Sequence, residues 1–248
     1  MRSLGCVLRA AVIAGLIGGA LTAAFHSLLT EPLIDKSIAI EEAMTAARGQ
    51  VPVPPVVDRA TQRKGLIVGF LMYGLSCGLL FGVLFHLTRP WHPPEWTGAR
   101  SGAIAALLTG WSVAVLPFLK YPANPPGVGE SGTIAYRQAL HMSFVVLSVA
   151  GTALALALHR FVGLQTRTPR RERARWWPAA AAYAAYAAAL YLAMPATHDL
   201  VWMPGELVSG FRAASLAGLL VFWVVLAGAF AWLSRDEPAR APGRTAIS

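Results

Sequence analysis

A chain of 248 residues that is 56% hydrophobic and 13% charged, with a mean hydropathy of +0.53, has too little polar surface to close a soluble globule. The formal charge of +9 would suit nucleic acid, but the Lys and Arg residues flank apolar runs instead of lining one exposed face, so no nucleic-acid partner is expected. The expected surroundings are a lipid bilayer and the expected fold class is an all-α integral membrane protein.

Six stretches meet the requirement of about 17–25 mostly apolar residues for a helix to cross hydrocarbon. They lie at about residues 8–29, 65–87, 101–119, 140–160, 177–194 and 212–233, a six-helix bundle forming one transmembrane domain over residues 1–248. Arg2 and Arg9 ahead of the first run, with small residues from Thr22 to Ala24, also fit a secretory signal peptide, whose removal would leave five spans. The long loop at 30–64 mixes Ile38, Ile40 and Met44 with Glu41 and Glu42, which predicts a short helix on the outer membrane surface over Asp35–Arg48, ended by Pro52 to Pro55. Basic residues concentrate in loops 88–100 and 160–176 and in a flexible tail at 234–248, and the run Arg167 to Arg175 is the densest cluster. Both termini are therefore expected in the cytoplasm.

Gly15/Gly19, Gly65/Gly69, Gly74/Gly78 and Gly78/Gly82 have the four-residue spacing that lets helix backbones approach closely, so tight packing is expected and a homo-oligomer is compatible with it. Cys6 and Cys77 have no disulfide spacing and are read as packing residues. No internal repeat relates the two halves.

On the predicted topology His26, His141 and His198 lie toward the outer face, and His86, His92 and His159 toward the cytoplasm. The outer set has Glu31, Asp35, Met142, Met194, Asp199, Met203 and Glu206 nearby. Imidazole with carboxylate suits divalent first-row cations, so His26, His141, His198, Asp199 and Glu206 are the candidate metal ligands. Taken singly, each of these residues is as readily explained by hydrogen bonds to loops or headgroups. Adjacent His141 and Met142 point about 100° apart on a helix, and Arg137 shares the face of His141, which works against a cation there.

Two polar, proline-rich loops are more specific than the histidines. Pro117 to Gly129 reads PFLKYPANPPGVG and is followed by Thr133 and Arg137; Pro204 precedes Phe211 to Leu216, FRAASL. With Pro32 to Ile34 and the acidic helix after them, these segments resemble the CbtA-type cobalt transporter subunits over most of the chain. Lys120, Tyr121, Pro122, Asn124, Pro125, Pro126, Phe211, Arg212 and Ser215 carry the resemblance, and Lys120 and Asn124 are read as bracing the loop. The resemblance implies a protein of the bacterial cytoplasmic membrane that works with a small, single-span, histidine-bearing CbtB-type subunit to import cobalt for cobalamin synthesis. The family is usually described with five spans. Cobalt is then the transported ion; no tightly bound cofactor and no enzymatic activity are expected, and no ligand set carries over from the family.

Two readings compete with a permease subunit. His141 and His159 are 18 residues apart, five turns or about 27 Å of helix, so with His26 and His86 they could ligate two haems of a membrane cytochrome. A non-transporting scaffold would instead use the glycine faces and Trp202 to Phe211 to dock a partner.

Overall fold

The computed structural model describes residues 3–49, 56–92, 96–129, 131–165, 176–197 and 202–235. They form α1 (Leu4–Leu29), α2 (Glu31–Ala47), α3 (Arg59–Thr88) with a 3-10 turn at Arg89–Trp91, α4 (Gly98–Gly110), a π-helical turn at Trp111–Val115 running straight into α5 (Leu116–Lys120), α6 (Ile134–Gln165), α7 (Trp176–Ala193) and α8 (Gly205–Leu233). No strand occurs among the described residues. Every apolar stretch is helical, and α1, α3, α4, α6 and α8 begin before their apolar stretches do; at α1 and α3 a side-chain cap sets the start. Ser3 accepts from the Cys6 amide to start α1, and Asp58 accepts from the Thr61 amide at 2.7 Å to start α3.

Among the described residues five helical segments are long and apolar enough to cross a membrane: Leu4–Leu29, Arg59–Trp91, Gly98–Lys120, Ile134–Phe161 and Gly205–Leu233. α7 forms where a sixth span is expected, its 18 residues mainly alanine with Tyr, Trp and Leu.

The chain packs as two compact units, residues 1–107 with 124–127 and 203–248, and residues 108–123 with 128–202. In the first unit α1 runs antiparallel to both α3 and α8. Gly15 and Gly19 of α1 meet Gly74 and Phe70 of α3 backbone to backbone, so a Cβ at Gly15 or Gly74 would collide with the opposite helix of the seam. Gly78 continues that seam against Ala11, whereas Gly65 and Gly69 face open space. At the far end of α1 and α3 the rings of Phe81 and Phe85 meet Phe230 of α8 edge-on, each with centroids 5.0 Å apart.

In the second unit Phe144 of α6 packs with Leu116 of α5 and Leu190 of α7. Tyr186 of α7 fills the notch left by Gly151 and donates its hydroxyl proton to Leu147 O at 2.8 Å. Lys120 Nζ donates to Tyr191 O at 2.7 Å and stands over that ring, 4.8 Å from its centroid. Tyr121 donates to Pro195 O at 2.8 Å, and burial pushes its phenol pKa up.

Candidate functional site

Thr22, His26 and Thr30 follow one another at four-residue spacing, and all three are buried. This puts a polar stripe on the face of α1 that meets α3 and α8. His26 is fixed on several sides. Its ring stacks on Phe70 at 4.8 Å and 7°, meets Phe25 edge-on, and shares a 2.7 Å hydrogen bond between Nδ1 and Thr30 Oγ1. Its Nε2 edge occupies the space above Gly218 of α8 that any larger residue's Cβ would need. Thr22 Oγ1, one turn deeper, has no hydrogen-bond partner.

Thr30 also closes α1, its amide bonding to His26 O, and opens α2, its carbonyl accepting from Leu33 and Ile34. No loop separates the two helices. The first turns of α2 and α3 are clamped together: Glu31 Oε2 accepts from Arg59 Nη2 at 2.6 Å and Arg63 Nε at 3.2 Å, and Asp35 accepts from the same two guanidiniums at 2.7 and 2.6 Å. α3 spans about 45 Å, well beyond a 30 Å hydrocarbon core, so its arginine-bearing first turns project past the core. The Glu31 side chain is only 8% exposed, so its pairing matters more than a surface ion pair would. These carboxylates neighbour His26 in sequence but are committed to arginine.

Hydrogen bonds and attraction from Arg59, then Arg63, hold the Asp35 carboxyl below the ordinary carboxylate range. A depressed folded pKa stabilises above the unfolded value and is lost as pH falls through the folded one. The α2–α3 clamp is therefore expected to hold at neutral pH and loosen below about pH 4, and Asp35→Asn should flatten that acid response. Hydrogen exchange of the α2 amides between pH 7 and pH 3, taken as protection relative to the intrinsic rate at each pH, measures it; unchanged protection across that range in the native protein would refute it.

The two proline-rich segments join in the same unit, where Arg212 Nη2 donates to Asn124 Oδ1 at 2.7 Å. Pro125 is fully buried and Phe211 largely so, while Ser215 is half-buried on α8. In the second unit Gly129 adopts φ 98°, and its α-carbon lies against the Arg137 guanidinium. The loop is thus held by Lys120, Tyr121 and Asn124 at three separate points.

Of the candidate ligands, His26 and Glu206 fall in the first unit, with Glu206 exposed in the opening turn of α8. His141 is half-buried in the second unit, two turns into α6, and its neighbour Met142 is exposed on another face. His198 and Asp199 lie outside the described residues, as do Glu130, Pro52 to Pro55 and the run Arg167 to Arg175. Among the described residues no group of three or more His, Cys, Asp or Glu side chains is gathered to hold a metal. A haem at His26 would have to enter where the ring already abuts Gly218 and Phe70. Phe70, Gly218, Arg59 and Arg63 carry no sequence signal as partners of this region; only Thr30, one turn from His26, is signalled by spacing.

Long apolar helices, packed in the first unit through a glycine seam with a buried Thr–His–Thr stripe beside it, define a polytopic membrane protein. A family model described as a probable cobalt transporter subunit (CbtA) matches residues 5–235, and the chain belongs to that family. The resemblance carried by the proline-rich loops and its membrane location accord with this match. A transporter subunit moves a solute and acts with other subunits. Comparison with curated proteins and with solved structures finds no match.

Proposed function

We propose that this chain is the membrane subunit of a cobalt importer that supplies cobalamin synthesis and works with a small, single-span, histidine-bearing CbtB-type subunit. The family match over residues 5–235 carries the reading. In this proposal α7 crosses the membrane as a sixth span, both termini are cytoplasmic, in the bacterial inner membrane, and the His26 end of the first unit faces out. His141, His198, Asp199 and Glu206 are each candidate contacts for the hydrated ion.

His26 takes part when α1 and α8 separate. Its Nε2 edge is occluded against Gly218, and its Nδ1 partner Thr30 orients the ring. Imidazole suits the ion, and a set with few ligands lets it leave again.

The test is accumulation of labelled cobalt in cells carrying this chain and its small partner at matched membrane levels. His26→Ala and His141→Ala are each expected to lower uptake about tenfold or more, the range for losing one ligand or its support. Uptake above background that neither substitution changes would remove the histidine path and keep the transporter. No uptake with both proteins present would overturn the transport reading in favour of the scaffold.

A further inference from the structure

A second polar cluster lies inside the membrane-spanning part of the other unit. At the π-helical turn the Leu116 amide reaches back to Trp111 O, and the turn brings Trp111 and Ser112 toward α6 and α7. Trp111 Nε1 donates to the Tyr183 hydroxyl at 2.6 Å. Thr152 Oγ1 of α6 lies 3.3 Å from that hydroxyl, 2.8 Å from Ser112 Oγ and 3.1 Å from Ser148 O. Ser112 Oγ is 2.7 Å from Leu108 O. Ser112 is 3% exposed and Ser148, one turn from Thr152 on α6, is 0% exposed; Ser148 Oγ has no hydrogen-bond partner. π-Helical turns inside longer helices are frequent at functional sites.

Proton counting makes the cluster unusual. Four oxygen–oxygen contacts share the three hydroxyl protons of Ser112, Thr152 and Tyr183, so one contact either has no proton of its own or shares one in a three-centre bond, which leaves oxygen lone pairs in excess. A positive charge relieves that arrangement. A proton path does not fit, because the cluster ends on an indole N–H that only donates. Oxygen donors without imidazole, thiolate or thioether do not favour a first-row transition metal, and without a carboxylate they do not balance a divalent ion.

We propose that Ser112, Ser148 and Thr152, with the carbonyls of Leu108 and Ser148, bind a sodium ion within the membrane. Backbone carbonyls at irregular helices are donors that membrane transporters offer to coupling ions, and here a π-helical turn brings hydroxyls beside such carbonyls. A role as coupling ion rests on the transport reading above; sodium binding itself does not.

The experiment measures thermal unfolding of the purified full chain in detergent as NaCl replaces choline chloride at constant ionic strength, with KCl as the size control and no cobalt present. Sodium is expected to raise the unfolding midpoint by about 2–4 °C, more than potassium does. Ser148→Ala removes an unpartnered hydroxyl without breaking a hydrogen bond, so it should fold as the native chain does and lose most of that rise. Thr152→Val should lose it too. Equal response to sodium, potassium and choline would overturn the proposal, and so would a sodium response that survives both substitutions. Because cobalt is absent, failure here would leave the cobalt reading standing, and failed cobalt uptake would leave this result unaffected.

Discussion

Gly74→Leu is expected to remove nearly all folded protein, whereas Gly69→Leu five residues earlier should be tolerated. The Cβ position at Gly74 is already occupied by the backbone carbonyl of Gly15, with the Gly19 α-carbon behind it. A flexible side chain could rotate away; a helix backbone cannot. Relief requires α1 and α3 to move apart along the largest interface of the first unit, exposing the stacked His26 and Phe70 rings as they do so. The cost therefore exceeds the roughly 1–3 kcal/mol typical of an overpacked side chain. Gly69 has no atom within 4 Å of its Cβ position and controls for bulk alone. The monodisperse fraction after detergent extraction reads the outcome, and similar recovery of the two variants would show that the seam is not what holds the unit together.

Gly218→Ala should destabilise the chain although alanine is the better helix former by about 1 kcal/mol. The added methyl group falls on Nε2 and Cε1 of His26. The ring cannot slide aside without leaving Phe70 and breaking the 2.7 Å bond to Thr30. A loss of about 1–3 kcal/mol is expected on balance, with cobalt uptake falling toward background. The double variant His26→Ala/Gly218→Ala separates packing from transport. It should regain stability relative to Gly218→Ala, a coupling of about 0.5–3 kcal/mol, yet remain inactive in uptake. Additive stability effects would mean that the ring and the notch do not interact. Recovered uptake in the double variant would remove His26 from the ion path.

The helices are legible in the sequence because hydrophobic runs of span length leave little choice of conformation, and Ser3 and Asp58 mark two starts that hydropathy alone misses. The glycine spacings are legible as seams, but not which of them close: Gly15/Gly19 and Gly74/Gly78 meet backbone while Gly65/Gly69 do not. Residues distant in sequence are harder. Glu31 and Asp35 look like companions of His26 until Arg59 and Arg63, 24–32 positions away, take their oxygens. The notch at Gly218 and the hydroxyl cluster at Trp111–Val115 leave no periodic trace, since each depends on how three helices meet.

Thr30 has a mechanical consequence. Its hydroxyl holds the His26 ring, its amide ends one helix and its carbonyl begins the next, with no slack residue between. On the transport reading proposed above, an imidazole that reorients with the ion pulls on Thr30, and α2 extends from there as a lever pinned at its base by Arg59 and Arg63. The tip of α2 near Ala47 then moves further than the ring does. A spin label placed there would follow an event several turns away inside the bilayer, and the length of α2 sets the gain.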